Sequence, residues 1–341
     1  MYLLGRIKRP LNKERIKMLL SVLLFAVGLV LLIKGGDWFV DGATGIARRF
    51  HLPDIVVGAT VVSIGTTLPE VMVSTTGALA GSGAMAYGNA IGSIICNTAL
   101  IAAISITCNP GPVNVKSMKT PAIFFFLSAA IYCLAAYGLG TFPRWLGFVM
   151  LTIFVIYMVL TVRNGLRNPD ADAEEEEEES KPRQLWQELV LLVVGAAVIA
   201  VGANLLVEHG QIIALGLGVP ETVVSLLFVA LGTSLPELVT TITSLKKGRA
   251  SLGVGNVIGA NVFNLVLVSG VAVSLAPFDV PVENTLLNTG LNLSLVFDIP
   301  VMLVVMSLMI FPALAKKKLG RWQGIALLGI YAAFCVLQFI L

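Results

Sequence analysis

Long apolar runs, separated by short turns with glycine, proline or charged residues, dominate the chain. Several runs are long enough for a helix to cross the hydrocarbon core of a bilayer. The pattern predicts ten membrane-spanning helices at about 16–50, 53–80, 84–108, 118–138, 144–164, 185–217, 220–246, 250–276, 290–314 and 321–341. The first run is longer than one perpendicular span, so we expect a tilted helix.

The composition supports an all-α membrane protein. The 341 residues are 57% hydrophobic and 13% charged, with a mean hydropathy of +0.90. A soluble chain of this length could not cover its surface with so few charges. The four cysteines form no CxxC pair and are interpreted as reduced packing residues. The expected partners are the lipid bilayer and small cations, with no nucleic acid and no obligate protein partner.

The two halves of the chain are related by a duplication. With one constant offset and no gap, Pro53 aligns with Pro220 and Glu70 with Glu237, and this register holds along most of the second and third predicted helices. Each half has five predicted spans, and five is odd, so the second half is inverted in the membrane. We therefore predict a basic tail at 1–17, a five-helix repeat at 18–164, an acidic loop at 165–184 and an inverted repeat at 185–341.

Charge placement predicts the orientation of a multi-pass protein in the cell membrane. Lys and Arg concentrate in the loops on the side of the 165–184 loop, so this loop is expected in the cytoplasm and both termini outside. The basic tail argues against this orientation, and a translation start at Met18 would remove the conflict. The acidic run at 170–179 is interpreted as a solvated linker, with a weak Ca²⁺-attracting patch as the alternative.

Two near-identical hexapeptides interrupt the apolar pattern, at 65–70 (GTTLPE) and 232–237 (GTSLPE). Each places two hydroxyls, a proline and a carboxylate where lipid offers no polar partner. A proline removes one N–H from the helical hydrogen-bond ladder. We therefore expect interrupted helices, with carbonyls released near Thr66 and Thr233.

The glutamates of the hexapeptides are placed to share one ion. Glu70 and Glu237 each lie about one helical turn beyond Thr66 and Thr233, so carboxylate and carbonyl can face the same point. Two carboxylates with carbonyls and hydroxyls form an all-oxygen set, which suits a hard cation such as Ca²⁺. The alternative is a pair of Pro-kinked helices whose hydroxyls only pack.

A second pair of segments, at 88–97 and 255–264, follows the hexapeptides. Their GxxxG glycines are explained by close helix packing. Their mirrored asparagines add uncharged oxygens that suit Na⁺ or the flank of a Ca²⁺ site: Asn89, Asn97, Asn256 and Asn264. The predicted fold class is therefore an all-α membrane protein of ten transmembrane helices, built as two inverted five-helix repeats in which helices 2, 3, 7 and 8 are interrupted.

These paired motifs resemble the alpha-repeats of the cation/calcium antiporter superfamily, in particular prokaryotic sodium/calcium exchangers, over essentially the whole chain. The resemblance implies that helices 2, 3, 7 and 8 form the ion-binding core and that helices 1 and 6 slide against it. It implies a Ca²⁺ site made by Glu70 and Glu237 with the carbonyls of Thr66 and Thr233. It implies Na⁺ or counter-ion sites made by Ser63, Thr67, Ser93, Asn97, Ala230, Ser234, Ala260 and Asn264.

The chain departs from that resemblance in its charge. In well-known sodium/calcium exchangers one of the positions matching Asn97 and Asn264 is an aspartate, whereas here both are asparagine. Ala260 also lacks the hydroxyl that some relatives have there. Fewer fixed negative charges weaken Na⁺ coupling or favour protons, so Ca²⁺/H⁺ exchange stays open.

The sequence thus predicts a secondary active antiporter that exchanges Ca²⁺ for Na⁺ at one mid-membrane site by alternating access, without a cofactor. A role for H⁺ or K⁺ is left open. A passive cation channel would need a pore or filter-like loop, and none stands apart from the repeats. An enzyme is not expected, because no Ser/His/Asp or His-rich constellation lies inside the spans.

Four other acidic residues give weaker evidence of a functional role. Asp37, Asp41 and Glu208 lie on the long helices 1 and 6, as hydrated helix-end residues or as the lining of an ion path. Asp298, just before Pro300, is open to the same two interpretations.

Overall fold

Ten helices form the described part of this computed structural model, which covers residues 11–167, 183–217, 232–281 and 292–340. The first five are α1 (Leu11–Arg49), α2 (Asp54–Leu79), α3 (Gly83–Cys108), α4 (Val115–Leu139) and α5 (Arg144–Arg167). The others are α6 (Leu185–Gly216), α7 (Leu235–Lys246), α8 (Ala250–Leu275), α9 (Ser294–Lys316) and α10 (Arg321–Ile340).

Eight of these helices, α1 to α6 with α8 and α9, are long and apolar enough to cross a membrane. Large apolar side chains stand exposed along them, including Leu19 on α1, Val155 on α5 and Val193 on α6. Exposed apolar surface of this extent needs lipid around it. The all-α membrane fold is therefore confirmed, while the number of ten spans stays a prediction.

Short two-residue strands tie the ends of the helices together. β1 (Gly111–Pro112) pairs antiparallel with β4 (Lys318–Leu319), and β2 (Thr141–Phe142) pairs antiparallel with β3 (Phe278–Asp279). Each pairing joins a strand of the first half of the chain to a strand of the second half. The two strand pairs therefore connect the two halves of the chain by backbone hydrogen bonds.

The predicted interruptions of helices 2, 3 and 8 are π-helical turns, and α2 is not broken at the first hexapeptide. Pro69 lies inside the helix Ser63–Leu79, because a membrane helix tolerates one lost hydrogen bond when its neighbours satisfy the freed groups. Each of the three helices instead contains a π-helical turn, at Gly58–Val62, Asn97–Ala102 and Asn264–Val268. Such turns widen the ladder by one residue and are frequent at functional sites.

α7 differs from these three helices. Residues 232–233 are helical, Ser234 forms a turn with φ −89° and ψ 4°, and a new helix starts at Leu235 with Pro236 in its first turn. A proline there costs no hydrogen bond, since the first N–H groups of a helix have no partner within it. The expected interruption at the second hexapeptide is therefore present. The predicted first part of helix 7, from residue 220, lies mostly outside the described residues.

Two apolar clusters hold the helices together. The larger cluster contains residues of the four helices from α2 through α5 and of α8, α9 and α10. The smaller cluster joins α1 and α6 to α2 and α8. α1 and α6 pack along each other through glycines: a Cβ added at Gly28 would lie 2.9 Å from the Gly202 carbonyl oxygen, and one at Gly195 would lie 2.9 Å from that of Gly35. The α1–α6 pair is thus a separate layer against the core.

Candidate cation site

Glu70 lies on α2, and Glu237 lies in the first turn of α7. Both side chains are fully buried, with 0% exposure. Among the described residues, none of their four carboxylate oxygens has a hydrogen-bond partner. A buried carboxylate without a partner is costly, so the pair calls for a bound cation or a proton.

The carboxylates of Glu70 and Glu237 lie near one another. They lie close enough to interact electrostatically and, when both are ionised, to repel each other. The hydroxyls of Thr66 and Thr67 lie beside the Glu237 carboxylate, although not in hydrogen-bond geometry. The Thr67 and Ser234 hydroxyls are buried without partners among the described residues. The hexapeptides of the two halves therefore meet at one point, as the sequence predicts.

Two reciprocal hydrogen bonds link the hexapeptide of each half to an asparagine of the other half. Thr66 donates to Asn256 Oδ1 at 3.1 Å, and Thr233 donates to Asn89 Oδ1 at 3.3 Å. The sequence offset between the halves aligns Thr66 with Thr233 and Asn89 with Asn256, so the two bonds are equivalent. These bonds hold α2 against α8 and the residues just before α7 against α3, so the threonine carbonyls are positioned by both halves.

The same asparagines make further contacts that orient the site. Asn89 Nδ2 donates to the Glu70 carbonyl at 3.2 Å and to Ser74 Oγ at 2.8 Å. Ser63 Oγ donates to the Asn256 carbonyl at 2.9 Å and to the Gly58 carbonyl at 2.8 Å. Asn89 and Asn256 thus fix helix positions through hydrogen bonds, which the sequence motif alone did not reveal.

Asn97 and Asn264 stand at the first residues of two π-helical turns. Both are fully buried, and neither amide oxygen nor amide nitrogen of either residue has a partner in the described chain. Ser269 Oγ donates to the Asn264 carbonyl at 2.9 Å, so the backbone of the turn is satisfied while the side chain is not. Unpaired amides at this depth are suited to a bound ion or water.

Glycines bring α8 into backbone contact with α2. A Cβ at Gly255 would collide with the Ile55 carbonyl, and one at Gly259 would collide with Ser63 Oγ and with the backbone of Ala59. The packing role predicted for these two glycines is confirmed. Within the described chain, a Cβ at Gly88 or Gly92 would meet no atom within 4 Å.

The structure places the predicted site residues as follows. Most are buried on α2, α3, α7 and α8 or at the N-cap of α7: Ser63, Thr66, Thr67, Glu70, Ser93, Asn97, Ser234, Glu237, Ala260 and Asn264. Thr233 is half-buried, and Ala230 lies outside the described residues. The described residues contain no cluster of three or more His, Cys, Asp or Glu side chains. An ion held here would depend on carbonyl, hydroxyl and amide oxygens besides the two carboxylates.

Sequence reasoning missed a buried polar cluster next to the site. Asn261 Nδ2 donates to Thr98 Oγ1 at 2.7 Å and to the Met306 sulfur at 3.1 Å. Tyr157 was also missed: its hydroxyl donates to the Ala59 carbonyl at 2.8 Å, inside the π-helical turn of α2. A single asparagine or tyrosine in an apolar run gives no signal of which carbonyl or hydroxyl it will reach.

The acids with weaker signals lie away from the site. Lys247 Nζ donates to Asp41 Oδ1 at 2.7 Å and to the Asp37 carbonyl at 2.9 Å, and both aspartates are about 40% exposed. Glu208 is exposed. Gln338 donates to Asp298 at 2.7 Å. These positions favour the interpretation of Asp37, Asp41 and Glu208 as hydrated residues. The acidic run at 170–179 lies outside the described residues.

Comparison with known proteins gives the family. The profile of the family described as "Sodium/calcium exchanger protein" matches residues 20–163 and 188–340. The chain belongs to the sodium/calcium exchanger protein family. The resemblance inferred from the hexapeptides and the GxxxG segments is confirmed.

Relatives of this exchanger-family chain match nearly its whole length. It is 36% identical over 314 residues to the uncharacterized membrane protein MJ0091 of Methanocaldococcus jannaschii, covering 92% of this chain and 96% of that protein. It is 28% identical to the sodium/calcium exchanger MaX1 of Methanosarcina acetivorans, covering 94% and 98%. A solved structure of the sodium-calcium exchanger NCX_Mj, soaked with Na⁺ and Sr²⁺, superposes with a TM-score of 0.77 at 34% identity, covering 94% and 99%.

Proposed function

We propose that this chain is a secondary active antiporter that exchanges Ca²⁺ for Na⁺ across the membrane by alternating access at one site. One observation carries the proposal: two fully buried carboxylates, one from each half of the chain, lie together without hydrogen-bond partners among the described residues. Membership of the sodium/calcium exchanger family supports Ca²⁺ and Na⁺ as the transported ions. No cofactor enters the proposal, since the chemistry consists of binding and release.

The proposed Ca²⁺ ligands are the carboxylates of Glu70 and Glu237 and the carbonyls of Thr66 and Thr233. Two carboxylates and two carbonyls offer up to six oxygens, and Ca²⁺ takes about 6–8. The two negative charges balance the charge of the ion. The proposed counter-ion ligands are Ser63, Thr67, Ser93, Asn97, Ala230, Ser234, Ala260 and Asn264.

We propose that the two halves are inverted five-helix repeats within a ten-span chain. The reciprocal bonds Thr66–Asn256 and Thr233–Asn89 support this, because a two-fold axis turns each contact into the other. The π-helical turns that begin at Asn97 and Asn264 are related by the same sequence offset. The glycine contacts of α1 with α6 repeat in the same way, at 28 with 202 and at 195 with 35.

Alternating access is proposed to occur by movement of the α1–α6 pair over the core. The pair packs on itself through glycines and meets the core through the smaller apolar cluster. Ca²⁺ and the counter-ion compete for Glu70 and Glu237. The empty site does not reorient, because two bare carboxylates would have to cross a low-dielectric region.

The proposed orientation follows the charge distribution of the loops. The protein is a multi-pass protein of the cell membrane with the 165–184 loop in the cytoplasm and both termini outside. A cysteine introduced in that loop should react with a membrane-impermeant maleimide only after the cells are permeabilised. Labelling of intact cells would contradict this orientation.

Uptake of ⁴⁵Ca into proteoliposomes tests the proposed exchange. Vesicles loaded with Na⁺ and diluted into Na⁺-free medium should accumulate Ca²⁺, whereas an imposed pH gradient alone should not. Uptake driven only by the pH gradient would favour Ca²⁺/H⁺ exchange, for which the uncharged Asn97 and Asn264 are the supporting observation. Flux that persists without any counter-gradient would indicate a passive channel.

A further inference from the structure

The π-helical turn of α2, Gly58–Val62, lies directly before Ser63 and just ahead of the first hexapeptide. Ser63 is one of the proposed counter-ion ligands. In this turn the backbone ladder changes from an i+4 to an i+5 spacing, so the conformation of the turn sets the direction in which Ser63 points. A contact that stabilises the turn therefore also positions the ligand that follows it.

Side-chain hydroxyls bond two carbonyls of this turn. Ser63 Oγ donates to the Gly58 carbonyl at 2.8 Å, and the Tyr157 hydroxyl donates to the Ala59 carbonyl at 2.8 Å. Ser63 belongs to α2 itself, whereas Tyr157 lies on α5. Tyr157 thus ties the turn to a neighbouring helix.

The ring of Tyr157 is held in place by other aromatic rings. The side chain is fully buried, with 0% exposure. It makes edge-to-face contacts with Phe124 on α4 and with Phe263 on α8, at centroid distances of 5.4 and 5.9 Å. Phe263 immediately precedes Asn264, the first residue of the π-helical turn of α8. A ring packed in this way has little freedom to move, so its hydroxyl is directed at the Ala59 carbonyl.

α8 restricts the same stretch of α2. A Cβ at Gly259 would collide with the backbone of Ala59 and with Ser63 Oγ, so the two helices are already in backbone contact here. The single hydrogen of the Ser63 hydroxyl can be donated to the Gly58 carbonyl or to the Asn256 carbonyl, at 2.9 Å. The turn is therefore fixed by backbone contact with α8 and by the hydroxyl from α5.

We propose that Tyr157 is a positioning residue for the counter-ion ligand Ser63, acting through its hydrogen bond to the Ala59 carbonyl. The inference rests on the proposed function. Without the hydroxyl, the Ala59 carbonyl loses a partner in the buried core, which disfavours the present form of the turn. Each residue of a helix is rotated by about 100° from the one before it, so a turn that gives up its i+5 spacing redirects Ser63 away from Asn256.

The proposed Ca²⁺ ligands on α2 should depend less on this turn. Asn89 Nδ2 on α3 donates to the Glu70 carbonyl at 3.2 Å. Thr66 donates to Asn256 Oδ1 on α8 at 3.1 Å. Because these residues have anchors of their own on α3 and α8, loss of the Tyr157 hydroxyl should affect Na⁺ more than Ca²⁺.

Tyr157→Phe removes the hydroxyl and keeps the ring contacts. In proteoliposomes loaded with ⁴⁵Ca, the external Na⁺ concentration for half-maximal Ca²⁺ release should rise about fivefold or more. The Ca²⁺ concentration for half-maximal uptake should stay within about twofold of wild type. Tyr137→Phe is the matched control, because the Tyr137 hydroxyl donates to the Leu295 carbonyl in another π-helical turn, Ser294–Asp298 of α9. No proposed ion ligand lies on α9, so both concentrations should stay unchanged in the control.

A double-mutant cycle tests whether Tyr157 acts through Ser63. Ser63→Ala should raise the Na⁺ requirement by itself, and adding Tyr157→Phe to it should change the requirement by less than about twofold. Competition of Na⁺ with ⁴⁵Ca binding to the purified proteins gives the same comparison for any variant that transports slowly. Effects of the two substitutions that simply multiply would overturn the inference.

The outcomes separate the inference from the proposed function. A rise in the Na⁺ requirement alone, in Tyr157→Phe and not in Tyr137→Phe, supports the inference. Equal weakening of Na⁺ and Ca²⁺, or no change in either, overturns it and leaves Na⁺/Ca²⁺ exchange standing. Absence of Na⁺-driven exchange by the wild-type protein overturns both.

Discussion

Replacing Glu70 or Glu237 by glutamine removes one buried charge while keeping the size of the side chain. Each variant should lose Ca²⁺ exchange, because the remaining carboxylate cannot balance a divalent ion. Loss of one partner in a buried charge pair costs about 3–5 kcal/mol, so Ca²⁺ affinity should fall by more than about 100-fold. ⁴⁵Ca uptake and Ca²⁺ binding to the purified variants measure this.

Glu208→Gln is the matched control for the glutamate variants. Glu208 is exposed on α6, so the same substitution there should leave uptake close to wild type. Near-wild-type uptake by Glu70→Gln or Glu237→Gln would contradict the assignment of the site.

A methyl group at Gly255 tests the close approach of α8 to α2. The added Cβ would collide with the carbonyl of Ile55, which is backbone and cannot move alone. Overpacking of this kind costs about 1–3 kcal/mol, so Gly255→Ala should lower the melting temperature in detergent.

Gly329→Ala on α10 is the control for that substitution. A Cβ there meets no described atom within 4 Å, so the change should leave stability unchanged or raise it by up to about 1 kcal/mol. Equal melting temperatures for Gly255→Ala and Gly329→Ala would show that the α2–α8 contact is looser than described.

At this scale the sequence predicted the identity of the central residues but not their bonds. Glu70 and Glu237 were identifiable because a carboxylate occurs twice in one apolar setting. The bonds from Thr66 to Asn256 and from Thr233 to Asn89 were not, because they depend on how the helices of the two halves cross. The constant sequence offset implied that any bond made by one hexapeptide would have a counterpart in the other. It did not identify the partner residues.

At the scale of elements, the α7–α8 turn is linked to α1 by an ion pair. Lys247 Nζ lies 2.7 Å from Asp41 and 3.8 Å from Asp37, at side-chain exposures of 29% for the lysine and about 40% for the aspartates. α1 belongs to the pair of helices that we propose to move, and the turn belongs to the core. The ion pair therefore stabilises the described arrangement of the two layers.

Lys247→Gln should weaken that arrangement only modestly. A partly exposed pair contributes up to about 1 kcal/mol, so the equilibrium between arrangements should change by about fivefold or less. Spin labels on α1 and on the α7–α8 turn should report a broader distance distribution in the variant. Lys246→Gln removes the same charge one residue earlier and should leave the distribution unchanged. Identical distributions for both variants would rule out a linking role for Lys247.

The helices themselves show where sequence rules succeed and fail. Apolar length predicted the spans of α3, α5 and α8 to within a few residues. Proline rules predicted a break in α2 that is absent, because Pro69 is accommodated within a continuous helix. The Tyr157 hydroxyl of α5 donates to the Ala59 carbonyl in the π-helical turn of α2, a contact that no local pattern encodes.

At the scale of the whole molecule, the proposed repeat explains why two distant stretches would share one cation site. In the proposed site each half supplies a carboxylate, a threonine and an asparagine, and neither half would complete the ligand set alone. The two strand pairs and the reciprocal bonds join the halves at the periphery and at the centre. Duplication in the sequence predicted this convergence, whereas the hydrogen bonds that join the halves required the structure.

The central claim is that Glu70 and Glu237 bind one divalent ion that the counter-ion displaces. Anomalous diffraction from crystals soaked in Sr²⁺, a stand-in for Ca²⁺, tests it most directly. We expect one peak with oxygens of both carboxylates at about 2.3–2.6 Å, the range for Ca²⁺, or slightly longer. The peak should weaken as Na⁺ is raised. A peak that contacts only one of the two glutamates, or that persists at saturating Na⁺, would contradict the account.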